Sequence, residues 1–107
     1  MILVAAATRQ DRQRVMRDIV AAAEALGGWL GDATLFSNHA ASLRLHLPVE
    51  ALPALAPAIG AAGATLAPEG QGALAPRGAG DEAVVLVNLT FLHDEPDLRR
   101  DVPSVPG

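Results

Sequence analysis

Three histidines, His39, His46 and His93, are the side chains in this sequence best suited to metal or proton chemistry. Imidazole ligates transition metals and changes charge near neutral pH. A shared site requires the rings on one face and within a few ångströms. His46 stands opposite the face formed by Leu43, Leu45 and Leu47, whereas His93 has the parity of Val85, Val87, Leu89 and Phe91. In the sheet order expected below, the two sit two strand spacings apart, roughly 10 Å. That is too far for one metal without a third ligand between them. The three read as unrelated surface histidines. The run His93-Asp94-Glu95-Pro96-Asp97 is the densest polar cluster. A hard cation needs six or more oxygens around one point, and three acids before a proline read instead as a solvated strand exit. No metal site is expected.

Arg9, Arg12, Arg14 and Arg17 crowd the start of the first expected helix. Arginines beside a helix N-terminus can hold a phosphate or carboxylate. The plainer reading is a solvated helix face, with Arg14 and Asp18 as an i,i+4 pair worth a few tenths of a kcal/mol. Arg9 and Arg12, joined by Arg44 and His46 from the sheet, are the candidate ligand-binding residues. The chain has no cysteine, which excludes disulfides, thiol catalysis and cysteine-ligated metals. Gly70-x-Gly72 and Gly78-x-Gly80 precede no expected helix, and no Gly-Lys-Ser/Thr follows, so there is no phosphate loop. Ser37, Ser42 and Ser104 lack a nucleophile-elbow setting. No catalytic residue and no cofactor are expected.

These residues must be held by a small frame. A chain of 107 residues has the size of one domain. Half of the residues are hydrophobic and the mean hydropathy is +0.27, enough apolar material for a core. Much of it is alanine, and the aromatics are only Trp29, Phe36 and Phe91, so the layers must approach closely. Trp29 reads as a core or interface residue. All eight basic residues are arginine; the net charge is −4 and the pI is about 5.1. That balance speaks against a nucleic-acid partner. No stretch reaches the ~20 apolar residues that span a bilayer. The apolar start, Met1 to Ala7, lacks a basic leader region and reads as a strand. The expected compartment is the cytoplasm, with no membrane partner.

Along the chain, residues 2–7 read as a buried strand. Thr8 is placed to cap a helix over 10–26, whose stripe is Val15, Ile19, Ala22, Ala23 and Leu26. Gly27-Gly28 ends it. A hairpin of 29–37 and 41–47 follows, turning at Asn38-His39, and its second strand alternates cleanly. Pro48 then opens a helical segment over 49–62, which Pro53 and Pro57 either kink or split. Residues 67–82 read as a flexible loop. Residues 83–92 read as a last strand by their β-branched content. Strand, helix, strand, strand, helix, strand predicts an α+β, ferredoxin-like βαββαβ sandwich over residues 1–93, with an extended tail over 94–107. Its sheet is four-stranded and antiparallel, in the order 4-1-3-2, with both helices on one face.

The succession of a helix, Gly27-Gly28, a strand, then Leu43-Arg44-Leu45-His46-Leu47-Pro48-Val49-Glu50-Ala51-Leu52 and Ile59-Gly60-Ala61-Ala62-Gly63 resembles a bacterial domain of unknown function. That domain occurs in membrane-anchored lipoproteins, and the resemblance covers roughly residues 10–66 and the last strand. It implies the same βαββαβ core and carries no assigned chemistry. Two departures separate this chain from that family. The stretch 67–82 stands where the family has a coiled coil, and the apolar start at Met1 is not expected to be a lipoprotein leader. The element order also looks like ligand-binding domains of the ACT type. Thr8-Arg9-Gln10-Asp11-Arg12 lacks the glycine that those domains carry after the first strand.

Two helices can cover only one face of such a sheet. The open face would carry Ser42, Arg44 and His46, with Val84, Leu86, Asn88, Thr90 and Leu92. That is more apolar than solvation requires. Ser42, Arg44, His46, Leu86, Asn88 and Thr90 are therefore the candidate interface, with a second copy of the chain as the expected partner. The implied function is a non-enzymatic, homo-oligomeric domain for protein interaction or regulation. An ACT-like sensor of an amino acid or anion, and an enzyme of the dimeric α+β barrel kind, are the alternatives.

Overall fold

Short polar and glycine signals set where the first helix begins and ends. A computed structural model describes residues 1–78 and 80–92. After strand β1 (Ile2–Thr8), helix α1 runs from Arg12 to Ala25. Its N-cap is Asp11, whose carboxylate accepts from the backbone N–H of Arg14 at 2.9 Å. Thr8 does not cap it. Its hydroxyl is buried, donates to the carbonyl of Gly63 at 2.7 Å and accepts from the N–H of Gln10 at 3.0 Å. It ties the exit of β1 to a distant turn. Val15, Ile19 and Ala23, four residues apart, are the buried stripe of α1, as the period of 3.6 demands. The helix stops at Gly27, whose φ of +90° suits glycine. The N–H of Gly28 closes the turn on the carbonyl of Ala23 at 2.8 Å.

The hairpin of β2 (Trp29–Ser37) and β3 (Ala40–Pro48) turns at Asn38-His39 as expected. A 3-10 turn (Val49–Ala51) leads into α2 (Leu52–Ala61). Pro53 falls in the first turn of α2, where a missing N–H costs nothing. Pro57 lies inside the helix and is exposed. The bond it forfeits is to the carbonyl of Pro53, so a single helix passes through it. Leu52, Leu55 and Ile59 are buried from α2.

The chain departs from expectation after α2. Residues 67–82 are not one flexible loop. A two-residue strand, β4 (Thr65–Leu66), is followed by α3 (Pro68–Ala73), which contains Gly70 and Gly72. Leu74, just past α3, is 1% exposed and belongs to the core. The last strand, β5 (Glu82–Phe91), completes a five-stranded mixed sheet in the order β2-β3-β5-β1-β4. The four-stranded antiparallel ferredoxin-like sheet is therefore overturned, while the α+β class stands.

The difference has a simple form. Short β4 pairs antiparallel with Ala6 and Ala7 of β1. It occupies the edge beside β1 that the ferredoxin order assigns to its final strand. The chain then reverses through α3, and β5 enters between β1 and β3. It runs parallel to β1 and antiparallel to β3. Every residue of β1 has a partner on β5, from Ile2 opposite Val85 to Thr8 opposite Phe91. A continuous run such as Ala-Val-Val-Leu-Val suits a strand flanked on both sides.

The core forms where one sheet face meets the helices. Val4 and Ala6, with Leu43, Leu45 and Leu47, and Val85, Val87 and Leu89, meet Val15, Ile19, Leu55 and Ile59. Burying each such Leu, Ile or Val side chain contributes about 1.5–3 kcal/mol against leaving it in water. The segment 94–107, expected to be an extended tail, lies outside the described residues.

Candidate interaction face

Alternation along three strands sends the remaining side chains to the opposite, uncovered face. The registers give its rows from β1 to β2. One row is Leu3, Leu86, Arg44 and Asp32; the next is Ala5, Asn88, Ser42 and Thr34. On the other side of Leu86 lie Val84, His46 and Trp29. All six expected interface residues, Ser42, Arg44, His46, Leu86, Asn88 and Thr90, stand on this face of the adjacent strands β3 and β5. Ser42 is nearly buried, and its hydroxyl donates to Asn88 Oδ1 at 2.6 Å. This polar pair is thus satisfied between strands.

The face divides into an apolar half and a polar cluster. Leu3 is 61% exposed beside partly buried Leu86 and Val84. At the end nearest the start of β2, Trp29 and His46 are direct cross-strand partners. Their rings stack with centroids 3.9 Å apart and planes within 3°. One carboxylate clamps both rings. Glu82 Oε2 accepts from Trp29 Nε1–H at 3.1 Å, and Glu82 Oε1 lies 3.1 Å from His46 Nδ1. A carboxylate only accepts, so this contact places the proton on Nδ1. The other ring nitrogen faces Gly31, where a Cβ would come within 2.5 Å of His46 Nε2. Glycine at 31 is what lets the ring lie flat.

The sequence missed this cluster because two β-bulges hide the register. Ser37 pairs with Ala40, and an unbroken ladder from there would set Gly31 opposite His46. Irregularities between Leu30 and Asp32 and between Leu35 and Ser37 slide the strand by two residues and bring Trp29 there. No single-residue signal marks that slip.

The four expected ligand-binding residues are not brought together. Arg44 and His46 lie on the open face, while Arg9 follows the far end of β1. Arg9 is six residues beyond Leu3, the β1 residue in the row of Arg44, or about 20 Å along the strand direction. Arg9 and Arg12 do share a cavity of about 370 Å³ at the start of α1. There Arg12 donates to Asn38 Oδ1 at 2.8 Å, joining α1 to the hairpin turn. Arg14 bonds Asp18 along its own helix and Gln10 just before it. Among the described residues no group of three or more His, Cys, Asp or Glu could hold a metal ion. His93 and the cluster Asp94 to Asp97 lie outside the described residues.

A second feature lies on the helix side. Met16 and Val20 of α1 and Leu30 and Ala33 of β2 line an apolar groove of about 330 Å³, flanked by Arg17 and Glu24. None of the described helices is long and apolar enough to cross a membrane. No family model, no curated protein and no solved structure matches the chain.

Proposed function

We propose that this chain is a non-enzymatic domain for protein interaction or regulation that self-associates through the open face of its sheet. The observation that supports this reading is the cluster of Leu3, Leu86 and Val84 on the adjacent strands β1 and β5, with exposed Trp29 beyond His46 in the row of Val84. It is a contiguous apolar strip on a face that no helix covers. Contiguous exposed apolar surface marks interaction sites. The polar members Arg44, Asn88 and Thr90 surround it and would set the register of the contact. An isologous two-fold arrangement would bring each strip against its copy.

Sedimentation equilibrium at micromolar protein tests this. The wild type is expected to assemble, and Leu3→Asp, at an exposed position the monomer tolerates, is expected to halve the assembled mass with an unchanged far-UV circular dichroism spectrum. A monomeric wild type, or an assembly indifferent to Leu3→Asp, would remove the reading.

A further inference from the structure

β2 is an edge strand, hydrogen-bonded only to β3. From Gly31 to Ser37 every one of its residues is exposed, including Leu35 at 53% and Phe36 at 65%. A free edge offers backbone donors and acceptors to any further strand. Such edges are usually blunted by lysine, proline or an inward-pointing charge. β2 has no lysine and no proline, and its one charge, Asp32, points to the open face. Its two bulges leave the stretch Asp32–Leu35 regular.

The helix beside this edge carries a self-complementary charge pattern. Arg17 and Glu24 flank the apolar groove between α1 and β2. They are seven residues apart, two helical turns, and so stand on one stripe. Neither forms an ion pair with a described residue. A two-fold axis beside Val20 and Ala21 sets Arg17 of each copy against Glu24 of the other, because residues 17 and 24 are equidistant from it.

We infer that a second copy of this chain docks edge to edge here. The β2 strands pair antiparallel, the two α1 helices lie side by side, and two Arg17–Glu24 pairs close the groove. The spacing fits. α1 lies over β2 and β3, about half a strand spacing inside the edge, and a paired strand puts the axis another half spacing outside it. Two copies of α1 then lie about 10 Å apart, the distance at which helices pack. An axis at Ala33 sets Asp32 of one copy opposite Thr34 of the other and keeps the two Asp32 carboxylates apart. This contact does not use Leu3, Leu86 or Val84 and stands independently of the open-face reading.

Charge reversal tests it, read by sedimentation equilibrium in the wild-type and Leu3→Asp backgrounds. Arg17→Glu and Glu24→Arg each set like charges against each other, and each is expected to weaken association at this edge at least tenfold. The double variant Arg17→Glu/Glu24→Arg restores opposite charges and is expected to recover it. In the Leu3→Asp background the expected species is a dimer that either single reversal dissociates. A monomer there would overturn the edge contact while leaving the open-face assembly standing. Single reversals that assemble like their parent would overturn it as well, and would leave the edge to a strand of another protein.

Discussion

Glu82 is the residue on which the polar end of the open face turns. Its two oxygens take one N–H from each of two stacked rings. Glutamine at 82 keeps the size and one acceptor but turns the second oxygen into a donor. Both contacts then survive only if His46 moves its proton from Nδ1 to Nε2, so the arrangement held by the carboxylate is lost. Stacked aromatic pairs contribute about 0.5–1.5 kcal/mol beyond their buried area, so the ring pair should loosen without unfolding the domain. Trp29 is the chain's single tryptophan, which makes its fluorescence a direct report. Glu82→Gln is expected to shift the Trp29 emission to longer wavelength and lower the unfolding free energy by about 1 kcal/mol. An unchanged spectrum would show that the carboxylate does not hold the stack. Ser42 and Asn88 were expected as interface contacts, but they mainly satisfy each other.

Among the elements, α3 and the residue after it decide the topology. A helix of six residues, under two turns, reverses the chain so that β5 can run parallel to β1. Six residues are too few to be stable as an isolated helix, so α3 depends on what it packs against. Its last-turn neighbour Leu74 is fully buried, and Gly70 lies so close to Leu66 that a Cβ would come within 2.8 Å of Leu66 Cγ. Leu74→Ala removes the anchor and leaves a cavity. The expected cost is about 2–5 kcal/mol, measured as a lower urea midpoint. Faster hydrogen exchange at Glu82 to Val85 should accompany it if α3 holds the entry of β5. A loss below 1 kcal/mol would mean that α3 is a passive connection.

At the scale of the molecule, the proposed contacts use an uncovered sheet face and an uncovered sheet edge. Association that favours the folded state stabilises it by mass action, so the unfolding midpoint rises with concentration. The wild type is expected to gain several degrees between 1 and 100 µM, on the order of the 4–8 °C that 1 kcal/mol shifts a domain of this size. Variants at both contacts, Leu3→Asp with Arg17→Glu, should show a flat dependence. A wild-type midpoint independent of concentration would deny both assemblies.

Local chemistry made much of this architecture readable from the amino acids alone. The stripe Val15, Ile19 and Ala23, the stop at Gly27, the turn at Asn38-His39 and the alternation of Leu43, Leu45 and Leu47 all depend on neighbours within a few residues. The membership of the open face followed from parity for the same reason, since a period of two assigns faces before any partner is known. Three things were decided only in the folded chain. The first is the place of β5, because whether a strand is central or at an edge depends on which strands pair with it. Its continuous apolar run suits a central strand, whereas the expected βαββαβ order puts the last strand at an edge. The second is the pairing of Trp29 with His46, which needs both bulges of β2 to form against β3. The third is the separation of Arg9 and Arg12 from Arg44 and His46, a matter of strand direction and length. Helices and turns are written in short-range energies, whereas strand order and register are settled by long-range contacts that no single segment contains.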